Sequence, residues 1–237
     1  VQKSEEGLEA RLIHQVGGTI TVKASDDGLN AKDWTLESSD EQGPGQQTKK
    51  VKSEAANAKN LDQAGDVKIV IDGGTLTVDA EGDGLDANGS IEINGGTIVV
   101  NGPTSGANAA LDYDDNGTLN GGTVLFVDNG QMTMGFGSDS NQAYLMASIQ
   151  GTAGSTVEVV DSSGKTVASL KASKSFSTVL ISSPDIKEGE KYTIKVGSNT
   201  TTATASKQAV NVGGRPGQGG PGGGQPGQGG PGGRQDR

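Results

Sequence analysis

Gly73-Gly74-Thr75-Leu76-Thr77-Val78-Asp79-Ala80-Glu81-Gly82-Asp83-Gly84-Leu85-Asp86-Ala87 is the stretch whose pattern sets the fold. After a diglycine step, apolar and polar residues alternate with a period of two, which marks a strand with one buried face. The second half places Leu85 and Ala87 inward by the same alternation, so Asp86 falls on the outer side; Asp83, which precedes Gly84 and the strand, is expected on the outside as well. Gly17–Ala31 repeats the pattern, with Asp27-Gly28-Leu29-Asn30-Ala31 as its second half. A further copy, Glu6-Gly7-Leu8-Glu9-Ala10, lies 21 residues before the first, and a weaker one, Ala109-Ala110-Leu111-Asp112-Tyr113, 26 residues after the last. The Gly-Gly-Thr step recurs at Gly95-Gly96-Thr97 and Gly121-Gly122-Thr123, so successive steps are 56, 22 and 26 residues apart.

A period in the low twenties, with about three short strands and glycine turns, suits a parallel β-helix better than a propeller, whose blades need ~40 residues. The chain is expected to be all-β, with a solenoid over residues 1–130. The long first interval then holds one coil plus an inserted loop at about 34–66, with a short helix near Ser53–Leu61. Beyond residue 130 the Gly-Gly-Thr step disappears. Strands are expected at Thr156–Val160, Thr166–Leu170, Ser177–Ile181 and Tyr192–Val196, with a turn at Asp161-Ser162-Ser163-Gly164. Residues 131–212 therefore read as a small antiparallel β-module that covers the open end of the solenoid. Residues 213–237 are Gly, Pro and Gln with three Arg and one Asp, a composition that cannot bury a core and reads as a disordered tail. The chain opens in the middle of a repeat, which reads as a mature product or a fragment lacking its first coils.

Composition narrows the function. The 237 residues are 31% hydrophobic and 3% aromatic, with 40 Gly and no Cys, so disulfide and thiolate-metal chemistry are excluded. No apolar run has the length of a membrane span. Residues 1–130 carry 22 acidic and 9 basic side chains, a net of −13, while residues 131–237 carry a net of +3. An acidic repeat half argues against nucleic acid as a partner and calls for a neutralising cation.

Neighbouring coils would stand ~4.8 Å apart, so equivalent outer positions form columns. One column is Glu6, Asp27 and Asp83; the other is Glu9, Asn30, Asp86 and Asp112. Carboxylates stacked this closely repel, and Ca²⁺, which takes six to eight oxygens in irregular geometry, resolves the repulsion. Asp26 and Asp114 are further ligand candidates. Asp-Gly as a plain turn dipeptide is the competing reading; the in-register recurrence favours calcium. Asp72, Asn94 and Asn120 precede Gly-Gly in three coils and are expected to form a hydrogen-bonded ladder. His14, the single histidine, reads as structural. Trp34, Tyr113 and Tyr144 are candidate sugar platforms, Trp34 foremost. Lys23 and Lys32, the cations nearest the acidic columns, are further candidates for carbohydrate contact.

The Gly-Gly-Thr-[Ile/Leu]-Thr-Val-x-Ala-x-x-Asp-Gly-Leu-[Asn/Asp]-Ala pattern of Gly17–Ala31 and Gly73–Ala87 resembles bacterial carbohydrate-binding domain-containing proteins. The likeness continues through Lys174–Pro184, Gly189–Val196 and the Gly/Pro tail. It implies a right-handed parallel β-helix with calcium between coils, similar in fold to some pectate lyases, in a secreted or surface-attached protein. Asp27, Asn30, Asp83 and Asp86 fall on the family's acidic motif, and Glu6 and Glu9 match it conservatively; Ala109 lacks the carboxylate. The function expected is non-catalytic, calcium-dependent binding of acidic or plant cell-wall polysaccharide such as pectin, outside the cell and without membrane insertion. The alternatives are a calcium-dependent polysaccharide lyase with Lys23 or Lys32 as base, and a purely structural or adhesive solenoid.

Overall fold

A computed structural model of the chain describes residues 2–33 and 66–208. Trp34, nearly all of the expected inserted loop with its helix, and the Gly/Pro tail lie outside the described residues. Every regular element among the described residues is a β-strand, numbered β1 to β19 in chain order.

The first half is built from three strands per repeat. The strands that carry the acidic motif, β2 (Leu8–Ala10), β5 (Leu29–Ala31), β8 (Leu85–Ala87) and β11 (Leu111–Tyr113), form one parallel sheet. The next strand of each repeat, β3 (Leu12–Gln15), β6 (Lys68–Ile71), β9 (Ser90–Ile93) and β12 (Gly117–Leu119), forms a second. The strands that follow Gly-Gly form the third: β4 (Thr19–Ala24), β7 (Thr75–Ala80), β10 (Thr97–Asn101) and β13 (Thr123–Asp128), with β1 (Gln2–Ser4) on its outer edge. Each strand pairs in parallel with its equivalent one repeat away, an arrangement compatible with a solenoid.

Register stacks like on like. Leu8, Leu29, Leu85 and Leu111 are neighbours across four strands, as are Val22, Val78, Val100 and Phe126 across another four. With Ile69, Ile91, Ile93 and Ile98 the buried members form one continuous cluster, against which the partly buried Leu8 packs. Each such side chain contributes about 1.5–3 kcal/mol by leaving water, so thin layers of aliphatic residues suffice where they repeat.

Two glycine columns make the tight stacking possible. The second glycine of each step, Gly18, Gly74, Gly96 and Gly122, turns the chain at φ between 75° and 96°, which side-chain-bearing residues rarely adopt. The motif glycines work differently. A Cβ on Gly28 would overlap the Gly84 carbonyl oxygen, and one on Gly84 would lie 2.5 Å from that of Ala110. Neither glycine has a positive φ, so they serve close approach between repeats rather than a turn.

The last parallel edge does not end in solvent. β17 (Phe176–Ser182) pairs antiparallel with β13, and β14 (Leu145–Gly151) pairs antiparallel with β17, which extends the third sheet to seven strands. β15 (Thr156–Val160), β16 (Thr166–Lys171), β18 (Lys191–Val196) and β19 (Asn199–Thr204) make a separate antiparallel sheet. The four strands expected in this region are present with their bounds shifted by a residue at most, and β14 and β19 join them. Leu125 and Val127 on β13 belong to the second hydrophobic cluster, while Phe136, Tyr144, Met146 and Leu180 belong to the first. Both clusters therefore draw on residues from either side of position 130.

Candidate functional site: an acidic face across successive repeats

The outer positions of the motif strands are in register as Glu9, Asn30, Asp86 and Asp112. The preceding column is joined by hydrogen bonds. The Asp83 amide donates to Asp27 Oδ1 at 2.7 Å, and the Ala109 amide donates to Asp83 Oδ1 at 2.5 Å. Each of these aspartates thus caps the backbone of the following repeat, a role the sequence reading did not foresee. Charge-assisted bonds of this kind are among the stronger ones in proteins. The Gly28 and Gly84 amides donate to the backbone carbonyls of Asp83 and Ala109 in the following repeat; Ala110, on the last repeat, donates instead to Asp128 Oδ2 at 3.2 Å.

Electrostatics show where the face is under-neutralised. Burial pushes the Glu6 carboxyl up, and the charges of Asp27, Asp26 and Glu9 push it further, against a smaller pull from Lys32. Asp27 is likewise raised, chiefly by burial, although its bond from the Asp83 amide opposes the shift. Asp86 is pushed up to about 7, by burial first and then by Asp83, Asp27, Asp112 and Asp114. Glu6 Oε2 and Asn30 Oδ1 are buried without a hydrogen-bond partner, and Asn30 is only 5% exposed although its position faces away from the core. Its amide nitrogen donates to Asp27 Oδ2 at 3.3 Å. Asp26 and Asp27 converge over Gly82, where a Cβ would overlap an oxygen of each carboxylate.

The residues that follow the motif alanines form a column of their own, because Ala10, Ala31, Ala87 and Tyr113 are in register. It reads Arg11, Lys32, Asn88 and Asp114, so side-chain charge runs from positive to negative along the stack. Lys32 Nζ lies 2.6 Å from Glu9 Oε1, and Arg11 pairs with Asp33 at 3.2 Å. Asn88 Nδ2 reaches Asp114 Oδ2 at only 3.5 Å. The repeats nearest the N-terminus carry basic residues at this position; the Asp86 and Asp112 layers have an amide and another acid. Counting along the motif period would have exposed this gradient in the sequence.

The donor set on this face is all oxygen, which suits a hard cation such as Ca²⁺. The orphaned oxygens of Glu6 and Asn30 also fit a cation partner. As the side chains stand, no three His, Cys, Asp or Glu groups among the described residues converge as a metal shell.

Of the sugar-contact candidates, Tyr144 is buried at 1% exposure, its hydroxyl 2.8 Å from the Phe136 and Gln208 carbonyl oxygens, so it offers no platform. Tyr113 is half-buried, with its hydroxyl donating to the Gly135 carbonyl at 2.7 Å and its ring seated on Gly117. Lys23 pairs with Asp79 at 3.1 Å. No protein-family model, curated protein or solved structure matches this chain.

Proposed function

We propose that the chain is an extracellular or cell-surface, right-handed parallel β-helix, stapled by calcium along its acidic face, that binds uronate-rich polysaccharide without cleaving it. The observation that carries the reading is the in-register column Glu9, Asn30, Asp86 and Asp112, whose counter-charge dwindles toward the layer where Asp86 is raised to about 7. A divalent cation at Asp83, Asp86 and Asp112, with Asp114 beside them, would relieve that repulsion and could bridge to a uronate carboxylate. Glu6, Glu9, Asp26, Asp27 and Asn30 would serve the preceding layers. The carbohydrate part of the reading rests on the family resemblance.

A structural or adhesive role with calcium as staple is the second reading, favoured because Lys23, Lys32 and Tyr113 are each engaged within the chain. The same engagement counts against a lyase, which needs a base held ready for the substrate proton.

Thermal unfolding of chelator-treated protein, with calcium added back and then polygalacturonate, separates these readings. A calcium-dependent rise in Tm with a further rise from the polymer is expected. A calcium response without a polymer response would leave the staple alone. No calcium response would remove the metal from both.

A further inference from the structure

We propose that the loops at one end of the C-terminal antiparallel sheet form a binding groove for an uncharged sugar residue, apart from the acidic face and independent of calcium. The groove holds about 500 Å³ and opens where the end of β14, the turn into β15, the start of β17 and the β18–β19 turn meet. That volume is within the usual range for small-molecule sites.

Its chemistry is selective. Among the described residues, none that lines it is charged, in a chain where one residue in five is. Gln150, Thr152, Ser155, Ser175, Ser198 and Asn199 supply hydroxyls and amides, which both donate and accept, as sugar hydroxyls do. A carboxylate or phosphate entering the groove would lose hydration and meet no counter-charge on the described lining residues. Phe176 and Val196 give the groove an apolar floor. Gly151 lies against the Phe176 ring, where a Cβ would overlap the ring carbons, so no side chain stands between ring and groove at that point.

The polar groups are held in place before any ligand arrives. Asn199 Nδ2 donates to the Gln150 carbonyl at 2.9 Å, tying the β18–β19 turn to the end of β14. The Thr152 amide donates to Ser155 Oγ at 3.1 Å, and the two hydroxyl oxygens stand 3.3 Å apart. Fixed hydrogen-bonding groups reduce the ordering cost of binding.

The test titrates the chelator-treated full chain with cellohexaose, xylohexaose and mannohexaose by calorimetry. At least one is expected to bind, and Ser175→Trp and Ser198→Trp, which fill the groove from two different turns, should each weaken it roughly tenfold or more, or about 1.4 kcal/mol. Both serines are exposed, so both variants should keep the parent Tm and calcium response; Asn199→Ala, which removes a rim group instead of adding bulk, should weaken binding in the same direction. Absence of binding by all three oligosaccharides would overturn the proposal, as would undiminished binding in the variants. Polygalacturonate binding in chelator that both Trp variants abolish would overturn the commitment to an uncharged ligand. A missing calcium response alone would sink the acidic-face reading and leave the groove standing.

Discussion

At the scale of single residues, Asp86 carries the sharpest electrostatic consequence. Its folded-state pKa lies above its ordinary value of 3.8, at about 7. The protonated form is therefore favoured by folding, and the stability linked to it is full below the ordinary value and lost as pH rises through 7. Allowing for solvent screening, the difference corresponds to roughly 3–4 kcal/mol in the absence of a cation. Chelator-treated protein should thus melt lower at pH 8 than at pH 5, and Asp86→Asn should remove much of that difference; identical pH profiles for parent and variant would refute the assignment. Gly84 sets a steric limit instead. The Cβ of Gly84→Ala would overlap Val100 Cγ1 and meet the Ala110 carbonyl at 2.5 Å, and the backbone atom cannot move aside without breaking the sheet. A loss of about 2–4 kcal/mol in denaturant unfolding is expected, in the range of overpacked cores. Alanine at position 110 shows that the requirement ends where stacking on the motif strand ends, since β11 is the last strand of its sheet.

At the scale of elements, the residues before Gly-Gly bind the repeats together along one exposed edge. Asn94 Nδ2 donates to Asp72 Oδ1 at 2.8 Å, Asn120 Nδ2 to Asn94 Oδ1 at 2.9 Å, and Asn141 Nδ2 to Asn120 Oδ1 at 2.8 Å. His14 Nε2 closes the other end, 2.7 Å from Asp72 Oδ2. The ladder expected from Asp72, Asn94 and Asn120 is present and longer than expected. Val16 occupies the equivalent position in the first repeat, but His14 supplies a side chain from within β3. Gln142, whose amide donates to the Leu119 carbonyl at 2.9 Å, brings Asn141 into line from outside the repeats. The hydrogen bonds from Asn94 and His14 hold the Asp72 carboxyl below its ordinary range, so that part of the ladder is complete above pH 3.8 and is lost in acid. Asn120→Ala removes a rung on both sides and should cost about 1–2 kcal/mol, at roughly 0.5–1.5 kcal/mol per bond. Combined with Asn94→Ala it should cost less than the sum, because the two share a bond; strict additivity in a double-mutant cycle would argue against a connected ladder.

At the scale of the molecule, Lys174 ties the C-terminal strands to the repeats. It leaves the turn between β16 and β17 and brings its ammonium to Asp79 Oδ1 and Glu81 Oε1, both at 3.0 Å, and to the Ala80 carbonyl at 2.6 Å. Beside it the buried Asn101 accepts from the Ser173 amide at 2.7 Å and donates to the Val78 carbonyl at 3.1 Å. Burial alone would raise Asp79, but hydrogen bonds from Lys174 and Lys23 outweigh it and hold the carboxyl low. Lys174→Met should cost about 2–4 kcal/mol, since it strips the principal partner from a half-buried carboxylate. Hydrogen exchange gives the decisive readout. Protection should fall at Val78–Ala80 and at Ser173–Phe176 together, and a loss confined to either segment would argue against a clamp between them.

The period of the motif determined the strands, their faces and the membership of the acidic columns, because a two-residue alternation and a coil-length repeat leave little freedom in what stacks on what. The tertiary structure decided what those residues do once stacked. Asp27 and Asp83 turned out to cap the next repeat's backbone, since a carboxylate at that height meets an amide one strand spacing away. Lys32 met Glu9, and Lys174 met Asp79 across nearly a hundred positions of chain. Such partners come from neighbouring layers or from distant segments, and local periodicity carries no record of them. Tyr113 and Tyr144 were legible as aromatic residues, but only burial revealed that one is seated on a glycine and the other is inside the core.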